Sequence, residues 1–163
     1  MRTRSIRSVI YLAGGLGLIL SLFATAEVYD ASLSGLCSVN SYVSCGVVLS
    51  SGLTTLLGVP DFAWGIAGFV LILVVAGLAE RNRRDPRWGY ALLAVTTAGV
   101  GVALTLLYVE LVEIHAICPV CATAYVMGGI CWAGTVALVT RTARRARNRV
   151  SADESGAETE AGT

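Results

Sequence analysis

Residues 117–125 read Ile-Cys-Pro-Val-Cys-Ala-Thr-Ala-Tyr. Cys118 and Cys121, with two residues between them, can close a strained, readily exchanged disulfide. They open an apolar run long enough to cross a bilayer. A thiol at the start of a helix meets unpaired backbone N–H groups and the positive end of the dipole, both of which favour thiolate. Pro119 suits a first helical turn, where its missing N–H would have had no partner. Tyr125 lies four residues beyond Cys121, roughly 40° around a helix and about 6 Å along it, on nearly the same face. A phenol there can hydrogen-bond a lipid-soluble substrate. A second pair, Cys37 and Cys45, has seven residues between its members in an uncharged stretch, an easy ring to close.

The elements that must hold these residues are membrane-spanning. The chain has 163 residues, 55% of them hydrophobic and 14% charged. Soluble domains carry about 25% charged residues. Four apolar runs, at 9–29, 62–79, 88–112 and 116–139, each approach the roughly 20 residues that a helix needs to cross the hydrocarbon. All 12 basic residues are Arg, in three clusters: Arg2, Arg4 and Arg7; Arg81, Arg83, Arg84 and Arg87; and five from Arg141 to Arg149. By the positive-inside rule both termini and the middle connection are cytoplasmic. The connections at 30–61 and 113–116 then face outward, into an oxidising compartment, with four of the five cysteines in or beside them. The first run, ending Ala24-Thr25-Ala26, also fits a secretory signal peptide; its length favours a retained helix.

The expected fold is therefore all-α: an integral membrane bundle of four helices over residues 9–140, after a cytoplasmic N-terminus of residues 1–8. Residues 31–60 carry no charge. Leu49, Leu53, Leu56 and Leu57 follow helical spacing there, which predicts a short interfacial helix capping the bundle and excluding water. A mobile Gly/Ser-rich loop is the plainer alternative. Gly58-Val59-Pro60-Asp61 ends this lid, with Asp61 available to cap the next helix. Residues 141–163 form a basic cluster and a cytoplasmic tail, which is small, polar and acidic from Ser151 and predicted to be disordered.

Two disulfide-capable pairs on one side of a membrane suggest a relay. A soluble thiol reduces the outer pair, the outer pair reduces the inner one, and the inner one reduces a lipid-soluble oxidant such as a quinone. The opposing reading is a non-enzymatic membrane scaffold with structural or zinc-binding cysteines, although structural zinc pairs usually have two to four intervening residues. Covalent haem is excluded because Ala122, not His, follows the second cysteine. Cys131 reads as packing, and Glu110 and Glu113 as solvated ends of a span. His115 is expected to be a polar interface residue, with proton relay as the alternative. Nothing points to nucleic acid.

With these residues laid out, the chain resembles the vitamin K epoxide reductase family, in particular its bacterial single-domain members. The resemblance is carried by Leu36-Cys37, Cys45 with Ser51 six further on, Trp64-Gly65 opening the second span, and Cys118-Pro-Val-Cys121 with Tyr125. It covers about residues 10 to 140. It implies a four-helix bundle around a quinone, menaquinone or ubiquinone, in the bacterial cell membrane. By the same resemblance Cys121 faces the quinone and Cys118 is its exchange partner. Cys45 attacks Cys118, and Cys37 completes the loop disulfide that a separate, thioredoxin-like extracytoplasmic protein reduces. Ser51, Trp64 and Tyr125 match positions beside the quinone or steering the loop. Asp61 falls where many members have Asn; an ionised carboxylate cannot donate that residue's hydrogen bond, so capping is its expected role. The implied activity is reoxidation of a protein that introduces disulfides into secreted chains.

Overall fold

The structure is a computed structural model that describes residues 3–29, 45, 48, 55–56, 59–82 and 85–161. Four long helices dominate it: α1 (Thr3–Tyr29), α2 (Asp61–Arg81), α3 (Arg87–Tyr108) and α4 (Pro119–Ala161). All four have spans long and apolar enough to cross a membrane: Arg4–Glu27, Phe62–Arg81, Arg87–Ile114 and Pro119–Asn148. Each contains one of the runs read from the sequence or all but its end residues. α1 packs on α2 and α4, and α3 packs on α2 and α4, so the four close into a ring. Their outer faces carry the apolar side chains that lipid would cover, such as Leu12 at 73% exposed.

Small residues bring the helices close. A Cβ on Gly17 would run into the ring of Phe69, and one on Gly134 would come within 2.9 Å of Ile10. The inner half of the bundle is filled by Ile6, Ile10, Phe69, Ile72, Leu92, Cys131 and Leu138. Buried hydroxyls of Thr96 and Thr135 donate to carbonyls one turn back, so these polar groups cost little in an apolar core. At the arginine-bearing end, Arg7 lies 3.7 Å from Glu80 and ties α1 to α2.

Two expectations change. The predicted interfacial helix included Leu56, but Thr55–Leu56 is a strand, paired antiparallel with Val59–Pro60. Pairing with that second strand overrides the leucine spacing there. Cys45 and Val48 are helical, and residues 49–54 lie outside the described residues. The stretch from Ser151, expected to be disordered, continues α4 as helix to Ala161. It carries Ala and Glu at six positions, and a helix already nucleated in the bundle propagates readily through such good helix formers.

Candidate functional site

At the end away from the arginine clusters the third span does not finish as an α-helix. Val109–Ile114 forms a π-turn, and His115 then reverses the chain with φ of 55°, a left-handed conformation uncommon for a side-chain-bearing residue. The Ala116 N–H closes back on the Glu110 carbonyl at 3.2 Å. A π-turn inserts one residue into the helix, which re-aims side chains by about 100°. Glu110 is 0% exposed, one turn beyond Leu106 on the inward face that carries Thr96, Gly99 and Ala103, whereas Glu113 is exposed. The expectation that both glutamates are solvated ends of a span is therefore wrong for Glu110 and right for Glu113. His115 is exposed, as an interface residue should be.

α4 begins at Pro119, as its missing N–H predicts, and the Cys118 carbonyl accepts its first hydrogen bond, from Ala122, at 2.9 Å. Cys118 is thus the N-cap, and its sulfur takes the place of a capping oxygen by accepting the Cys121 N–H at 3.3 Å. It lies in the connection between two spans and is 0% exposed. Its thiol is held below its ordinary pKa. The largest cause is the hydrogen bond from the Cys121 side chain, joined by the N–H groups of Cys121 and Val120, against burial and the nearby Glu110 charge, which push the other way. Helix start and neighbouring thiol together make Cys118 the more readily ionised sulfur.

The Cys118 sulfur lies 3.1 Å from the sulfur of Cys45, 73 residues away in sequence. Cys45 is itself in a disulfide, while Cys118, Cys121 and Cys131 are free thiols. Cys45, Val48, Ala116, Cys118 and Cys121 bury one another in a small apolar cluster. A thiol with a lowered pKa against a disulfide sulfur, shielded from water, is the geometry of thiol–disulfide exchange. Cys131 is equally buried, but its sulfur faces the Ile10 carbonyl at 3.6 Å in the inner core, the packing role expected of it.

Behind this cluster a cavity of about 410 Å³ opens between the helices, within the usual range of ligand pockets. Cys121, Tyr125 and Trp64 line it, so these three expected site residues share one space. The walls are mostly apolar, and at Gly68, Gly99 and Gly128 an added Cβ would meet nothing within 4 Å. Open space at these three glycines, amid apolar side chains and beside a phenol, suits a planar, lipid-soluble ring. Tyr125 donates its hydroxyl to Glu110 at 2.6 Å, and the other oxygen of Glu110 accepts the Cys118 N–H at 3.3 Å. Glu110 is the site residue that sequence reasoning missed. Its signal was its place one turn beyond Leu106, on the face that carries Thr96, Gly99 and Ala103 at helical spacing. Asp61 is the first residue of α2, and its side chain, like Cys37 and Ser51 altogether, lies outside the described residues.

Residues 8–136 match the profile of the vitamin K epoxide reductase family, which spans the first three helices and the membrane part of the fourth. The chain belongs to this family. Vitamin K epoxide reductase family proteins are quinone-linked thiol oxidoreductases that work with thioredoxin-like partners in a lipid environment. This family member is accordingly an oxidoreductase and a multi-pass membrane protein.

Proposed function

We propose that the protein carries electrons from an outer pair, Cys37 and Cys45, to the inner pair, Cys118 and Cys121, and on to a membrane quinone, leaving disulfides outside the cell membrane. The observation that carries this reading is the 3.1 Å approach of the Cys118 and Cys45 sulfurs. Cys45 as thiolate attacks Cys118 of an inner disulfide and releases Cys121. Cys37 then attacks Cys45, which forms the outer disulfide and leaves Cys118 and Cys121 as two thiols. Cys45 oxidised beside two free inner thiols is the outcome of that transfer.

A quinone bound in the cavity would supply a two-electron, two-proton acceptor. Cys121 and Tyr125 line its space, Trp64 closes one side, and the apolar walls exclude water. The outer disulfide is returned to dithiol by a separate thioredoxin-like protein on the extracytoplasmic face, which becomes oxidised and fit to introduce disulfides elsewhere. The outward orientation rests on the clustering of every Arg at the opposite ends of the helices.

The test is Cys121→Ser. Without the Cys121 sulfur no inner disulfide can form, so quinone reduction should stop. Cys118 can still attack the outer disulfide at Cys45. With no Cys121 to displace Cys45 again only Cys37 can undo the link, so a Cys45–Cys118 disulfide should accumulate, visible by peptide mass mapping without reductant. Undiminished quinone reduction in that variant would refute the electron path.

A further inference from the structure

Glu110 is a carboxylic side chain with no exposure, inside a span, with its two oxygens on Tyr125 and on the backbone of Cys118. A phenol has one proton to donate. While Glu110 is ionised, Tyr125 spends that proton on it, in the short 2.6 Å bond expected of a charged acceptor, and can only accept from a ligand in the cavity. Once Glu110 is protonated the bond reverses. Glu110 donates to Tyr125, and the Tyr125 hydroxyl is released to donate to a carbonyl. The direction of one hydrogen bond thus decides which redox form of a quinone Tyr125 can serve. Among the described residues, the titratable groups that face Glu110 include Tyr125 and Cys118 from the α4 side, with Cys121 and then Cys45 beyond Cys118, while Glu113 and His115 on its own turn are exposed.

We propose that Glu110 is the proton-holding residue of quinone reduction, acting through Tyr125. This rests on the reading of the cavity as the quinone site. When the Cys118–Cys121 bond forms, the two thiols release two electrons and two protons. Glu110 takes up one proton beside Cys118, and Tyr125 gives its hydroxyl proton to the acceptor oxygen while taking the one on Glu110. The second thiol proton completes the quinol, and Glu110 ends ionised, ready for the next cycle. Glu110 touches neither sulfur chemistry nor ligand except through these neighbours, so it is a positioning and proton-holding residue.

The experiment uses the full-length protein in detergent, with dithiothreitol as donor and a short-chain ubiquinone analogue as acceptor. Glu110→Gln mimics the protonated acid: its oxygen can accept the Cys118 N–H and its amide can donate to Tyr125, but it cannot pass a proton on. Its kcat should fall about 100-fold, at the lower end of acid–base contributions, while the quinone, offered the Tyr125 hydroxyl proton throughout, binds no more weakly than in wild type. In a Tyr125→Phe background the same substitution should cost nothing further. Time-resolved infrared spectra of a single turnover of the dithiol form with the quinone analogue should show a transient protonated carboxyl band that Glu110→Gln removes. A kcat for Glu110→Gln within twofold of wild type overturns the proposal. So does an equal additional loss in the Tyr125→Phe background, which would mark a packing role, and so does the absence of the transient carboxyl band in wild type, a result that needs no variant to fold. A wild type inert toward the quinone analogue overturns the quinone reading and this proposal together, whereas an active wild type with an unimpaired Glu110→Gln overturns this proposal alone.

Discussion

A tyrosine hydroxyl meets a glutamate at each end of the bundle, and the surroundings give the two pairs different work. At the arginine-bearing end Tyr11 donates to Glu80 at 3.2 Å, with Arg7 alongside at 3.7 Å and the glutamate side chain 40% exposed. Water and a cation keep that carboxylate charged, so the pair is a strap between helices. At the opposite end Tyr125 donates to Glu110 at 2.6 Å with no exposure, beside an exchangeable sulfur and a cavity. Removed from water, a carboxylate depends on its hydrogen bonds to remain charged, and a change in those bonds moves a proton. The cysteines divide the same way. Cys118 and Cys131 are equally buried, yet one faces a sulfur and the other a carbonyl. Burial alone does not mark function; the group across the contact does.

The largest test of this contrast is between those cysteines. Cys118→Ser should lower dithiol-dependent quinone reduction about a thousandfold, because the sulfurs act as one unit. Cys131→Ala should leave turnover nearly unchanged and cost about 1–2 kcal/mol in thermal unfolding. If the Cys131 variant is the inactive one, the assignment of the two clusters is inverted. Next come the tyrosines. Tyr125→Phe should reduce turnover by about 10- to 100-fold, the loss of a positioned proton donor, and Tyr11→Phe by less than about twofold. Steady-state kinetics with the quinone analogue would separate them.

A smaller effect lies in pH. Because Cys118 ionises below its ordinary value of 9.0, its exchange with Cys45 should rise with pH and level off before pH 9.0 is reached. Removing the neighbouring thiol with Cys121→Ala takes away the largest stabiliser of the thiolate, so the inflection should move upward. Alkylation rates of Cys118 against pH would show the shift, and an unmoved inflection would mean that the helix start alone sets its acidity. Smallest of all, Glu80→Gln should change stability by at most about 1 kcal/mol, since a part-exposed ion pair is screened by solvent. A larger loss would make the inner strap more than a surface tie.

The spans, the start of α4 at Pro119 and the shared face of Cys121 and Tyr125 were all legible in the sequence, because each follows from a simple period or from the missing N–H of proline. The arginine clusters also foretold which helix ends lie together. Glu110 was not read, because a charged residue near the end of an apolar run ordinarily marks the interface, although it continues the face of Thr96, Gly99, Ala103 and Leu106 at helical spacing. The π-turn and the reversal at His115 that follow it leave no mark in that spacing. Leu56 misled for the opposite reason: its helical spacing was genuine, but pairing with Val59–Pro60 makes it a strand. The approach of Cys45 to Cys118 was inferred from family resemblance, since contacts 73 residues apart leave no mark in local pattern.

Glu110, Cys118, Cys121 and Tyr125 all belong to one stretch of sixteen residues, folded back on itself by the left-handed turn at His115. Cys45 and Trp64 come from elsewhere in the chain. The carboxylate, the phenol and the two neighbouring sulfurs are thus spaced by a short run of backbone, whereas the contact between Cys118 and Cys45 depends on tertiary packing alone.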